Sequence, residues 1–161
     1  MSYAPSSAFA IVPAAGASVR MGTAKLLLPL GGKTIIERTI DAWRSSGVDR
    51  VLVVVRADDA PLAAIVRESG ATLVAADPPP ADMKTSVQAG LHYLADYEKP
   101  AANDVWLTAP ADLPSFSGEV VRRLLATYNP AAPQVLVAGH AGCAGHPVLF
   151  PWSYAADVAK L

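Results

Sequence analysis

Apolar residues along the chain follow two alternating rhythms. Ala8-Phe9-Ala10-Ile11-Val12 and Val51-Leu-Val-Val-Val55 are continuous apolar runs, the pattern of parallel strands buried on both faces. Between them, Thr34 to Trp43 places Ile35, Ile36, Ile40 and Trp43 on one helical face. Thr34 with Glu37 three residues on reads as a capping box, and Gly47 ends the segment. Asp58 or Asp59 caps a predicted helix Ala60 to Ser69, with Pro61 in its first turn. A third strand, Ala71 to Ala75, follows Gly70. Asp77-Pro-Pro-Pro-Ala81 is a stiff connector to a helix from Asp82 to about Glu98, with Thr85 or Ser86 as a candidate cap. The strand Asp104 to Ala109, a helix Ser115 to Tyr128 and a strand Gln134 to Ala138 come next. After them a flexible turn Gly139 to Gly145 leads into a strand His146 to Phe150 and a helix from Ser153 onward. Successive β-then-α units predict right-handed crossovers and an α/β fold with a doubly wound, mostly parallel sheet. Ligands of such sheets sit at the carboxyl ends of the strands.

Composition narrows the class. The chain has 161 residues, predicted to form one domain, 1–161; 52% are apolar and 17% charged, which argues against disorder and against a nucleic-acid binder. Net charge is −1, so any phosphate binding must come from a local cluster of cations. A lone Cys143 excludes a disulfide framework and a multi-cysteine zinc site and fits a reducing compartment. Met1 to Phe9 lacks a basic region and a long apolar core, and no window reaches the roughly 18 apolar residues of a membrane span. The reading is a cytoplasmic protein without nucleic-acid or membrane partners.

The loop after the first strand carries the candidate chemistry. Ala14, Ala15, Gly16, Ala17 and Ser18 are small enough for backbone N–H groups to approach a ligand, and Arg20 and Lys25 add positive charge. An anion, above all a polyphosphate, suits such a loop. Two other phosphate loops are excluded. Gly16 and Gly22 have five residues between them, which fails the dinucleotide fingerprint. Gly32-Lys33-Thr34 would need a glycine at position 27, where Leu27 stands, to complete a P-loop. A turn rich in Gly and Ala with two solvated cations is the plain alternative for a short match.

This match is longer. Val12-Pro-Ala-Ala-Gly-Ala-Ser-Val-Arg-Met-Gly-Thr-Ala-Lys25 through Leu28 resembles the L-A-A-G-x-S-x-R-M-G-x-x-K-x-L-L signature of the nucleotidyltransferases that include molybdenum cofactor cytidylyltransferase. The Ala-Ala-Gly form is similar to the cytidylyl branch; the guanylyl branch usually has Ala-Gly-Gly. Further along, Met83, Ser86, Ala89, Gly90 and Leu91 match G-M-x-x-S-L-x-A-G-L, while Asp82 and Lys84 depart from it. Pro110-Ala-Asp-Leu-Pro114 is similar to the family's G-D-x-P, with Ala111 for the glycine, and Gly145-His-Pro-Val-Leu-Phe150 resembles its G-x-P-V-L-F element.

The resemblance implies a three-layer Rossmann-like sheet of the nucleotide-diphospho-sugar transferase type. It also implies attack by an acceptor phosphate on the α-phosphorus of a nucleoside triphosphate, CTP favoured, releasing pyrophosphate. In that reading Arg20 forks onto the β and γ phosphates, and Lys25 meets the α-phosphate. Backbone of Ala14 to Gly16, with Ser18 and Ser86, meets the nucleotide, and Asp112 holds Mg2+. Molybdopterin is the implied acceptor and magnesium the implied cofactor. From its own segment, Asp112 reads equally as a cap of the helix that follows. His140, Cys143 and His146 receive no role. Family members usually continue further, with a second acidic metal ligand near the C-terminus, and this segment is expected to be lacking here. Methylerythritol-phosphate or sugar-phosphate cytidylyltransferase is a second enzyme reading, and a non-catalytic nucleotide-binding accessory module a third.

Overall fold

The computed structural model describes residues 5, 7–16, 25–113 and 116–161. In chain order the elements are β1 (Ala8–Pro13), β2 (Pro29–Leu30), β3 (Lys33–Thr34), α1 (Ile35–Arg44), β4 (Arg50–Arg56), α2 (Ala60–Glu68) and β5 (Thr72–Ala76). They continue with α3 (Met83–Tyr93), β6 (Val105–Thr108), α4 (Gly118–Thr127), β7 (Leu136–His140), β8 (Cys143–Pro151) and α5 (Ala155–Val158). The described strands form a six-stranded sheet in the order β5-β4-β1-β6-β8-β7 and a separate β2-β3 ribbon. β5, β4, β1 and β6 are mutually parallel, and β8 runs antiparallel to both β6 and β7.

The continuous apolar runs become strands because both faces of the sheet are covered. Ala8, Ala10 and Val12 face one layer with Val51, Val53 and Val55, against Ile36, Ile40 and Trp43 of α1, Leu62 and Val66 of α2 and Val121 of α4. Phe9, Ile11, Leu52, Val54 and Trp106 face the other, against Val87 and Leu91 of α3 and Ala155 of α5. Burying each Val, Leu, Ile or Phe among them stabilises the fold by about 1.5–3 kcal/mol. Gly90 sets how closely α3 approaches: a Cβ there would lie 2.6 Å from Cγ2 of the fully buried Ile11. Among the described residues no helix is long and apolar enough to cross a membrane.

Helix starts follow local chemistry. Thr34 accepts from the Glu37 N–H and Glu37 accepts from the Thr34 N–H, so the predicted capping box is present. Asp59, not Asp58, caps α2. Three expectations are corrected. The cap of α3 is Asp82 rather than Thr85 or Ser86, because its carboxylate accepts both the N–H and the hydroxyl of Thr85. α4 begins at Gly118, capped by Ser117, so Asp112 is not its cap. The stretch Gly139 to Gly145 is not a flexible turn but the tip of the β7–β8 hairpin, with Gly139 paired to Ala144, His140 to Cys143, and Ala141 and Gly142 turning at positive φ.

The strand order decides where a ligand can sit. From β1 the chain winds outward through β4 to β5, then returns across β1 to lay β6 on its other side. The winding reverses at β1, and because α1 and α4 lie on one face and α3 on the other, the loops at the carboxyl ends of β1 and β6 face the amino end of α3 across a crevice at this switch point.

Candidate active site

A cleft of about 740 Å³ opens at that switch point. Its floor is the end of β1, Pro13 to Gly16; one flank carries Lys25 and Asp112, the other Arg56 and the 79–83 segment. A volume of this size holds a small-molecule substrate. Of the residues read as candidates from the sequence, Ala14, Ala15, Gly16, Lys25, Ser86 and Asp112 all line it. Ser18 and Arg20 lie outside the described residues.

β1 delivers its backbone to the cleft because its hydrogen-bonded register ends there: the Ala14 N–H donates to the Val54 carbonyl at 2.9 Å, and the next residues leave the sheet. Among the described residues nothing lies within 4 Å of where a Cβ on Gly16 would sit. The backbone can thus be approached closely.

Asp112 stands four residues past the end of β6 and is held by three contacts of its loop. The Ala111 N–H donates to the Pro13 carbonyl at 3.3 Å. The buried Thr39 hydroxyl of α1 contacts the Ala111 carbonyl at 2.8 Å and the Ile35 carbonyl at 3.0 Å. Phe116, just beyond, packs on Trp43 with ring centroids 4.5 Å apart. The backbone is fixed on both sides while the carboxylate stays half-exposed. Lys25 Nζ donates to its Oδ2 at 2.8 Å, with side-chain exposures of 41% and 46%. An ion pair this exposed contributes about 0–1 kcal/mol. Each partner is therefore free to exchange the other for a stronger ligand at little cost.

The opposite flank is built by α3, which packs across β1, β4 and β5 and ends its N-terminus at the cleft. Ser86 is only 3% exposed, and its hydroxyl donates to the Asp82 carbonyl at 3.1 Å, so it meets the cleft from a buried position. The Thr85 N–H, and after it the Thr85 hydroxyl, hold the Asp82 carboxyl below the usual carboxylate range. At the end of β4, Arg56 grips Asp58 with two hydrogen bonds, Nε to Oδ1 at 2.9 Å and Nη2 to Oδ2 at 2.6 Å. That hydrogen bonding lowers the Asp58 pKa and raises that of Arg56.

Arg56 was not read as a site residue from the sequence, although a signal exists: it is the first polar residue after the apolar run of a parallel strand, where doubly wound sheets place ligands. Thr39 carries no such signal, since its contact with Ala111 spans 72 residues. The 145–150 segment does not line the cleft; β8 passes Thr108 at Val148, so the hairpin tip rises beyond the Asp112 flank.

Asp112 fits a divalent cation of a particular kind. Among the described residues no group of three or more His, Cys, Asp or Glu could form a cage by itself. One accessible carboxylate at the mouth of a cleft can contribute to a divalent cation that takes its remaining ligands from water and a bound substrate.

The sequence matches the MobA-like NTP transferase domain over residues 10–161. The chain is similar to a solved nucleotidyl transferase from Methanothermobacter thermautotrophicus, at 26% identity over 97% of this chain and 76% of that one, with a TM-score of 0.80. A Mycobacterium tuberculosis protein solved in complex with manganese aligns over 97% of this chain and 77% of its own at 22% identity and TM-score 0.70. The CMP:2-keto-3-deoxy-manno-octonic acid synthetase complexed with CTP shares the fold at 16% identity and TM-score 0.73, covering 97% of this chain and 78% of that one. Among curated proteins no match was found.

Proposed function

We propose that this chain, which belongs to the MobA-like NTP transferase domain family, transfers CMP from CTP to the phosphate of molybdopterin and releases pyrophosphate. The observation that carries this reading is the meeting of Lys25 and Asp112, 87 residues apart in the chain, beside the open backbone of Ala14 to Gly16. The Ala14-Ala15-Gly16 form supports CTP, as does the fold shared with a synthetase solved with CTP. The manganese complex of the mycobacterial neighbour supports use of a divalent cation, and the proposal assigns it to Asp112 as Mg2+.

Charge grows on the non-bridging oxygens of the α-phosphate and on the leaving pyrophosphate, so the residues act by positioning and electrostatics. Lys25 leaves Asp112 and donates to the α-phosphate oxygen as that charge develops. Asp112, relieved of Lys25, would hold Mg2+, and the ion would supply neutralisation of phosphate charge. Arg20 is assigned the β and γ phosphates from its place in the motif. Backbone N–H groups of Ala14 to Gly16, with Ser18 and Ser86, orient the nucleotide.

The test is pyrophosphate release with each nucleoside triphosphate, Mg2+ and molybdopterin. CTP is expected to support turnover best. Preference for GTP contradicts the reading of Ala14-Ala15-Gly16, and CTP binding without release favours a non-catalytic module. Release with methylerythritol phosphate or a sugar phosphate, but not molybdopterin, reassigns the acceptor.

A further inference from the structure

Among the described residues that line the cleft, the cations are Lys25 and Arg56, and they occupy opposite flanks. Lys25 sits with Asp112 past β6, Arg56 ends β4, and β1 runs between. Adjacent strands are about 4.8 Å apart, so the flanks are separated by roughly 10 Å across β1. That is comparable with the reach from the α-phosphate to the base of a nucleoside triphosphate. If the phosphates meet Lys25 and Asp112, the base falls on the Arg56 flank. The chemistry there agrees: Pro79, Pro80, Ala81 and Met83 are apolar and the one charge among them, Asp82, is negative, which suits the face of a ring rather than a phosphate.

Arg56 is oriented for a planar partner. Asp58 occupies its Nε and one N–H of Nη2. A guanidinium carries five N–H donors in one plane, so both donors of Nη1 and the second of Nη2 remain, and no acceptor among the described residues takes them. The unused Nη1–Nη2 end is a two-donor fork. Asp58 holds the plane and, among the described residues, no partner takes the fork.

We infer that Arg56 is the residue that selects the base, donating through Nη1 and Nη2 to the adjacent O2 and N3 acceptors of cytosine. This rests on the CTP reading above. Uracil keeps O2 but presents an N3–H, donor against donor, so the same fork disfavours UTP. Guanine offers a comparable acceptor pair, O6 and N7, on its other edge, which the test separates.

The experiment is calorimetric titration of the full chain with CTP, UTP and GTP in Mg2+, for wild type, Arg56→Met, Arg56→Lys and Asp58→Asn. Wild type is expected to bind CTP about ten- to a hundredfold more tightly than UTP. Arg56→Met and Arg56→Lys should both lose that ratio while UTP affinity moves less than about threefold, because Lys keeps the charge and lacks the fork. Asp58→Asn should lose part of it. Equal losses for CTP and UTP would show a phosphate contact and overturn the inference, as would a CTP preference retained in both Arg56 variants. Those two results leave the CTP reading standing. A wild type that binds GTP most tightly, or does not separate CTP from UTP, instead removes the CTP reading and the inference with it. Thermal unfolding of each variant checks folding, and Asp58→Asn provides the readout if an Arg56 variant fails to fold.

Discussion

Two aspartates bracket β6, and their partners differ in kind. Asp104, before the strand, is 4% exposed and accepts from the Ser7 and Ala101 backbone N–H groups at 2.9 and 2.7 Å. Asp112, after it, is half-exposed and meets one flexible lysine. At the amino edge of the sheet the carboxylate closes the structure, since its donors are backbone groups with nowhere else to go. At the carboxyl edge the donor is a side chain that can leave. The difference teaches that a carboxylate becomes available for chemistry when its partner is exchangeable and its own backbone is fixed, as Thr39 and Phe116 fix the Asp112 loop.

The comparison breaks most sharply at Lys25. Lys25→Ala is expected to lower kcat about a hundredfold or more, with a smaller rise in the nucleotide KM, because the proposed contact with the α-phosphate is made mainly in the transition state. Pyrophosphate release measures it, and unchanged turnover sinks the assignment. Next, Asp104→Ala should destabilise the fold by about 3 kcal/mol, through loss of two charge-assisted hydrogen bonds that leaves the Ser7 and Ala101 N–H groups without a partner. Asp112→Asn should alter stability by less than about 0.5 kcal/mol. Urea unfolding of both variants decides; equal losses would erase the contrast between the two edges.

A smaller effect is expected at Thr39. Thr39→Val keeps the shape and removes the hydroxyl, so the Asp112 loop loosens and Mn2+ affinity should fall roughly tenfold, as for partners that orient a metal ligand. Electron paramagnetic resonance of bound Mn2+ reports this without an acceptor substrate. Unaltered affinity would mean that the Ala111–Pro13 hydrogen bond and Phe116 hold the loop without the hydroxyl.

The mildest prediction concerns pH. The folded pKa of Asp82 lies below its ordinary value, so its cap of α3 stabilises the fold above the unfolded pKa and fades as pH falls through the folded one. The difference in melting temperature between wild type and Asp82→Ala should be full near neutrality and shrink below about pH 4. A difference that stays constant through that window contradicts the cap.

The strands and α1 were legible because their determinants are local. Apolar runs specify buried strands, Thr34 and Glu37 satisfy a helix terminus within one turn, and Ala14 to Gly16 with Lys25 sit in one continuous motif. Gly139 to Gly145 misled for the converse reason. Small residues suit a turn anywhere, and only pairing between β7 and β8 extends them as strand. The start of α4 likewise depended on which of several hydroxyl and carboxylate residues reached a free N–H, and Ser117 did.

What the sequence determined by itself was the set of parts: α/β order, the run of small residues after β1 that motivates the proposed phosphate site, and Lys25, Ser86 and Asp112 as candidates. The tertiary structure decided how those parts meet. It set β6 beside β1, and so Asp112 against Lys25; it hung the Asp112 loop on Thr39; and it turned Arg56 toward the same cleft with one edge held by Asp58. The reason is physical. Capping and periodicity act over a turn or a strand, whereas these contacts join segments whose proximity depends on the strand order of the whole sheet.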